Sequence, residues 1–377
     1  MANESKLESK ITKEETGDWY SYDKIDSYKC QYSMIIGERS NGKTYGALYK
    51  IISNYVKSGK KGAYIRRYKE DYRGKRGDAL FESIEKDGVI SKLTDGKYDG
   101  VKYQSGRWYL SKFDEKTQKK LAGDDAFCYG FALSDMEHDK STSYPDVTTI
   151  VFDEFLTRGF YLVNEFILFC NTLSTIIRHR NDVKIYMLAN TVNKYAPYFT
   201  EMGLKHVSAM EKGDIDVYSY GTSNLKVAVE YCASPKKEGK KSDVYFAFDN
   251  PNLEMITGGT WEIDLYPHCP TDYARKNIEF VFFIKFDESV LQGEVIMKDN
   301  YNFVYIHRKS TPIRDEDEDL IFTMEYDPRP NIVRGLDKSD LKCVRMIRQY
   351  FRNDKVFYQD NEVGEEVRNF IQESRRA

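Results

Sequence analysis

The stretch IIGERSNGKT, Ile35 to Thr44, decides how the rest of the chain is read. It meets the spacing GxxxxGK[ST], in which glycines let backbone N–H groups curl around an anion while the lysine and the hydroxyl reach a phosphate and its metal. That spacing is informative only between a buried strand and a helix. Both are indicated here. Tyr32 to Ile36 (YSMII) is a short apolar run, and from Thr44 onward Leu48, Ile51, Ile52, Tyr55 and Val56 recur at helical spacing until Gly59. A polyphosphate is therefore expected on the helix N-terminus. Gly37 and Gly42 shape the loop, Lys43 reaches the β- and γ-phosphates, and Thr44 carries Mg²⁺.

A loop of this kind needs a second strand that ends in a carboxylate near the metal. Thr148 to Phe155 (TTIVFDEF) supplies an apolar strand ending in two acids. Asp153 is expected to hold the Mg²⁺ shell and Glu154 to orient and deprotonate the attacking water. Adjacent acids at the end of a hydrophobic strand cost desolvation unless they do chemistry, so the pair points to ATP hydrolysis. The GTPase signature NKxD is not met by Asn193-Lys194-Tyr195-Ala196, and a small-molecule kinase has no need of the second acid. Asn164 to Ile177 then reads as a helix ending in Arg178-His179-Arg180, and Val183 to Ala189 as a strand ending at Asn190. Asn190 is a candidate γ-phosphate sensor as well as an ordinary turn former. Arg178 and Arg180 fit either arginine fingers or helix C-terminal cations meeting the dipole.

The totals bound this reading. At 377 residues the chain is long enough for two domains, with 41% hydrophobic and 31% charged residues. No apolar stretch approaches the ~18–20 residues of a membrane span, the N-terminus has no signal-peptide pattern, and a cytoplasmic protein without membrane contact is expected. Six scattered cysteines show neither disulfide nor zinc spacing. The net charge of −3 conceals a basic stretch from Lys57 to Arg76, with nine cations against Glu70 and Asp71. Gln31 and the tyrosines before the first strand are candidates for the adenine pocket.

IIGERSNGKTY, GAYIRRYK, DKSTSYPDVTTIVFDEF, IRHR and LANTVNKYAPYF, in that order between about Met34 and Thr200, resemble the DNA-packaging ATPases of small protein-primed tailed bacteriophages, the phi-29-like group. The resemblance implies a P-loop ATPase of the ASCE type that pumps double-stranded DNA into a preformed procapsid. It further implies a ring of five subunits seated on the portal through a packaging RNA, in the cytoplasm of the infected host and absent from the mature virion. It assigns Gly37, Arg39, Gly42, Lys43 and Thr44 to nucleotide binding, Asp153 to the metal and Glu154 to catalysis. Arg178 is matched to the arginine offered to a neighbouring subunit's ATP, and Lys140 to a basic residue at the same boundary. Arg66, Arg67 and Lys69 match the RRYK segment, whose lysine faces the central channel, and the resemblance assigns the three to DNA binding, where cations hold phosphates without reading bases. The stretch from Arg73 to Lys120 has no counterpart. From the residues alone, a helicase-like ATPase and a non-catalytic ATP-binding scaffold stay open.

Ser234 to Asp243 (SPKKEGKKSD) reads as a linker, which divides the chain into an ATPase domain over 1–233, a connection over 234–265 and a smaller α+β domain over 266–377. In the last, NIEFVFFIKF, LQGEVIMKD and NFVYIHRK form an antiparallel meander, with helices expected over Lys338 to Arg352 and Glu365 to Arg375. Strands followed by helices resemble an RNase H-like nuclease. Asp287 is the one acid well placed and has no partners for a two-metal site, so a degenerate docking domain is expected. The run DEDED, Asp315 to Asp319, reads as a solvated loop.

Overall fold

The computed structural model describes residues 20–138, 143–192, 196–221, 223–233, 266–286, 289–336 and 339–376. The N-terminal arm, Lys140, the run Asn193-Lys194-Tyr195, the connection over 234–265 and Asp287 lie outside the described residues. Contacts group the chain into two units, Met1–Glu262 and Ile263–Ala377.

The first unit opens with a short helix α1 (Asp23–Ser27), followed by β1 (Tyr32–Gly37), α2 (Lys43–Ser58) and β2 (Lys61–Arg66). An insertion follows, built of α3 (Lys75–Ala79), α4 (Glu82–Lys86), α5 (Val89–Leu93), β3 (Gly100–Gln104), β4 (Arg107–Asp114) and β5 (Lys119–Ala132). Then come β6 (Val147–Asp153), α6 (Glu165–Ile177), β7 (Lys184–Asn190), α7 (Pro197–Glu201), β8 (Ile215–Ser219) and β9 (Lys226–Tyr231).

These strands form one sheet in the order β3-β4-β5-β2-β6-β7-β1-β9-β8. From β5 to β9 every neighbouring pair is parallel. Parallel strands are buried on both faces, which is why β1, β6 and β7 are almost unbroken apolar runs. The loop strand β1 and the acid strand β6 are not neighbours. β7 lies between them. Because the strands share one direction, Gly37, Arg66, Asp153 and Asn190 all emerge at the carboxyl edge, where open α/β sheets bind ligands.

One face of the sheet is sealed by aromatic contacts between β6, α6 and α7, with Phe152 stacked on Phe169 at 5.0 Å and Tyr198 edge-on to Phe152 at 5.7 Å. Each such pair contributes ~0.5–1.5 kcal/mol beyond its buried area. The insertion organises around the fully buried Trp108, whose indole N–H donates to Gly77 O at 2.8 Å and whose ring meets Tyr64, Tyr72, Phe81 and Tyr103.

The second unit is a sheet in the order β14-β13-β10-β11-β12-β15. The meander β10 (Ile278–Phe286), β11 (Ser289–Lys298) and β12 (Tyr301–Arg308) is antiparallel, as its alternation indicated. β13 (Leu320–Thr323) joins β10 in parallel and β14 (Ile332–Arg334) joins β13. On the other side, α8 (Lys342–Arg352) leads to β15 (Val356–Tyr358), parallel to β12, before the closing helix α9 (Asn361–Arg376). This arrangement is that of the RNase H-like expectation. Residues 315–319 form a surface loop held by Lys285 to Glu316 at 2.7 Å and Arg329 to Asp317 at 3.0 Å.

Candidate functional site

The loop from Gly37 to Thr44 turns tightly between β1 and α2, and two of its residues take left-handed conformations, Ser40 at φ 59° and Gly42 at φ 95°. Gly37 serves a different need. A Cβ there would lie 2.2 Å from Cys232 Sγ, so the loop descends onto the end of β9 with no room for a side chain. Gly37→Ala is expected to destabilise the first unit by about 1–3 kcal/mol through overpacking. Thermal denaturation of that variant and of Gly37→Ala with Cys232→Ala checks this, the second change relieving part of the loss.

Lys43 is buried, and its ammonium donates to Glu38 O at 2.6 Å, Asn41 Oδ1 at 3.1 Å and Gly37 O at 3.3 Å. Burial lowers its pKa, opposed by the nearby Cys232, Asp153 and Glu38. Behind the loop, Tyr22 donates to Lys43 O at 2.5 Å and Tyr20 to Glu230 at 2.6 Å. Burial drives the Glu230 carboxyl up to about 7. Its folded-state pKa thus lies above the unfolded value, so the folded state binds the extra proton. Stability from this group is complete below pH ~4.5 and is lost as pH rises to about 7. Glu230→Gln is expected to flatten that fall, which denaturant midpoints measured across the window would register.

Thr44 Oγ1 stands 3.2 and 3.3 Å from the two carboxylate oxygens of Asp153. Asp153 is buried and also accepts from Tyr64 at 2.9 Å and from the Glu154 N–H at 3.0 Å. Burial raises its pKa, against the opposing pull of Arg66, Tyr64 and Thr44. A hydroxyl beside a carboxylate, with only oxygen donors, fits the preference of Mg²⁺ for hard ligands.

Glu154 follows at φ 55°, a left-handed backbone held at the tip of β6. Its side chain is exposed, with Oε2 held by Arg66 Nη2 at 2.5 Å. These groups border a cavity of about 1000 Å³ whose lining includes Arg39, Gly42, Lys43, Thr44, Asp153, Glu154 and Asn190. The sequence reading brought those seven together. Further lining residues were not anticipated, namely Tyr45 and Asp87, joined at 2.8 Å, and Thr157 and Arg158 in the loop after Glu154. Arg158 carried a weak signal, a cation four residues past the acid pair. Asp87 carried none, since it comes from the insertion.

Of the three cations assigned to DNA, Arg66 and Arg67 pair with acids of their own unit. They sit at the end of β2 beside β6, where consecutive side chains point to opposite faces and each meets an acid. Arg66 spans Glu154, Asp71 at 3.6 Å and Asp153 at 3.9 Å. Arg67 is buried, bidentate to Glu165 with both contacts at 2.8 Å, and donates to Phe155 O at 2.8 Å and Glu154 O at 3.3 Å. Lys69 alone of the three is half-exposed, paired with Asp135. Gln31 is also displaced from its expected role. It lies before β1, at the opposite end of that strand from the loop, and bonds Asn224 O and the Lys226 N–H.

Arg178 is exposed at the C-cap of α6, with φ 57° and ψ −122°. Arg180 is committed to the fold, donating to Val147 O at 2.7 Å and Tyr144 O at 3.2 Å.

The DNA packaging protein of Bacillus phage phi29 is 29% identical over 184 residues, 48% of this chain and 49% of that protein. That of Bacillus phage B103 is 31% identical over 187 residues, 49% of this chain and 50% of the relative. The chain thus spans about half the length of these relatives. Among solved structures, a chain of the bacteriophage Phi-29 viral genome packaging motor assembly superposes with a TM-score of 0.56 at 19% identity, covering 96% of this chain and 99% of that one. The Phi-28 gp11 DNA packaging motor gives 0.52 at 16%, covering 95% and 98%, and both likenesses concern the fold. Residues 15–357 match the model of the Podovirus DNA encapsidation protein (Gp16), and with the loop, the acid pair and the intervening strand in place, the chain belongs to that family.

Proposed function

We propose that the chain is the ATP-hydrolysing subunit of a motor that drives double-stranded viral DNA into a procapsid. The observation that carries this reading is the cleft in which Lys43, Thr44, Asp153 and Glu154 converge at the carboxyl edge of the sheet. With ATP seated on the loop, Lys43 turns from the loop carbonyls to the γ-phosphate. Thr44 and Asp153 would hold Mg²⁺, which would supply charge neutralisation to the phosphate tail. Glu154 takes a proton from water as its oxygen attacks the γ-phosphorus, and the bond to the β-phosphate oxygen breaks to release ADP and phosphate. Asn190, level with Gly37 on the neighbouring strand, senses the γ-phosphate.

Arg178 serves a second copy of the chain. β6 and β7 are parallel, so α6 returns from the carboxyl edge to the opposite edge, about 20 Å over its 13 residues. Its own cleft is out of reach. A ring, of five subunits by resemblance, brings Arg178 to the neighbour's ATP, with Lys140 at the same boundary and the portal and packaging RNA as its seat. Lys69 grips DNA phosphates from the turn after β2, and Arg66, which touches both Asp71 in that turn and Glu154, links the grip to the catalytic acid.

The test is subunit mixing. Arg178→Ala and Lys43→Ala chains, each inactive alone, are expected to recover DNA-stimulated ATP turnover when combined; mixed rings without recovery would exclude action in trans. A companion result separates role from stability. The backbone angles of Arg178 favour glycine, so Arg178→Gly is expected to raise the melting temperature, relieving ~1–3 kcal/mol of strain, while turnover of the assembled ring is lost.

A further inference from the structure

The phosphate loop is braced from behind by residues that precede β1. The Tyr20 N–H donates to Asn41 O at 2.9 Å, and the Tyr22 hydroxyl donates to Lys43 O at 2.5 Å. A trans peptide is planar, so its C=O and the following N–H point in opposite directions. Fixing the carbonyls of Asn41 and Lys43 therefore fixes the N–H groups of Gly42 and Thr44, which point the other way, towards an anion seated on the N-terminus of α2. In α2 the Lys43 carbonyl also accepts from the N–H four residues on, so the hydroxyl takes its second lone pair. The brace is itself held. Tyr22 is only 5% exposed, its ring edge-on to Tyr20 at 5.0 Å and to Tyr186 at 5.2 Å, with the Lys50 ammonium over its face. It rests on Gly46, where a Cβ would come within 2.6 Å of the ring, so the bare backbone of α2 at that point is the seat for Tyr22. Helix α1, which starts at the next residue, is tied through Asp26 to Lys50 of α2 at 2.7 Å and to Tyr186 of β7 at 2.9 Å.

We propose that Tyr22 is a positioning residue for the phosphate loop: it touches no substrate, and through Lys43 O it aims the Thr44 N–H at the phosphate tail of ATP. This rests on the reading of the loop as the nucleotide site and adds to it a residue outside the motif. Ser40 in the loop is left-handed at φ 59°, a backbone that persists only where its surroundings hold it. Donors already fixed in place bind more tightly because they need not be ordered when the ligand arrives. Adenine contact, the role open to the tyrosines before β1 on sequence, does not suit Tyr22. Its hydroxyl is committed to the loop, its ring is enclosed, and it is not among the residues that line the cleft.

The experiment uses the full chain with Tyr22→Phe, which keeps the ring on Gly46 and deletes the hydroxyl alone. Lys43 O retains its partner within α2, so the variant is expected to fold, with its melting temperature lowered by about 2–4 °C at most. A fluorescent ATP analogue bound in the presence of Mg²⁺ is competed by ATP and by inorganic tripolyphosphate, which carries the phosphate tail and no nucleoside. Both competitors are expected to bind about 3–10 times more weakly to the variant, the scale of one hydrogen bond. KM for ATP should rise in step while kcat stays within about two-fold of wild type, the pattern of lost uniform binding. Tyr186→Phe deletes the neighbouring hydroxyl, whose partner is Asp26, and should leave both affinities within about two-fold. An equal loss there would make Tyr22 a packing residue and overturn the proposal, as would unchanged binding by Tyr22→Phe or a fall in kcat with affinity intact. Weakening of ATP alone, with tripolyphosphate bound as by wild type or by neither protein, would make Tyr22 a contact of the nucleoside; the proposal then falls and the ATPase reading stands. If wild type binds neither ligand, the reading of the loop as the nucleotide site falls with it.

Discussion

Glu154→Gln is expected to bind ATP with near wild-type affinity and to hydrolyse it about 10²–10⁴ times more slowly, the range by which a positioned general base accelerates proton transfer. The amide keeps the size of the side chain and can still accept a hydrogen bond from Arg66, which holds Oε2 at 2.5 Å, so the cleft keeps its shape while the proton acceptor is lost. The loop and Lys43, which bind the polyphosphate, are untouched. Fluorescent-nucleotide titration and phosphate release on the same preparation decide the matter. Turnover within a few-fold of wild type would move the base elsewhere, and loss of binding would mean that Glu154 holds the nucleotide instead of the water.

Arg67→Ala should produce the largest loss of stability in the ATPase unit. Arg67 is only 7% exposed and Glu165 only 2%, and they meet in two parallel contacts of 2.8 Å. Removing one partner leaves a buried carboxylate uncompensated, at a cost of about 3–5 kcal/mol. For a unit of this size that lowers the melting temperature by roughly 10 °C. The same side chain holds the carbonyls of Glu154 and Phe155, so turnover should fall even where the protein stays folded. Arg67→Met with Glu165→Leu separates the two effects. Replacing both charges with apolar groups of similar volume restores much of the stability. If turnover returns with it, Arg67 acts through stability alone. If turnover stays low, Arg67 positions the backbone that carries Glu154.

The nucleotide cleft was legible because its signals are local. A motif of eight residues, an apolar strand before it, a helical repeat after it and two acids at a strand end each need only neighbours in sequence. The meander of the second unit was readable for the same reason, since alternation over Ile278–Arg308 sets register within adjoining hairpins. Arg73 to Lys120 gave no such pattern. Its short helices are stabilised chiefly by packing around Trp108, and that cluster joins residues from five separate elements and turns.

By itself, the sequence settled that a phosphate loop and an acid pair are present and that strands and helices alternate around them. Only the tertiary structure decided what the neighbouring cations do. Arg66 and Arg67 look alike in RRYK, yet Arg66 meets Glu154 88 residues later and Arg67 meets Glu165 98 residues later. Those encounters depend on β2 lying beside β6, and strand order is fixed by the burial of whole apolar surfaces, which no local pattern of charges records.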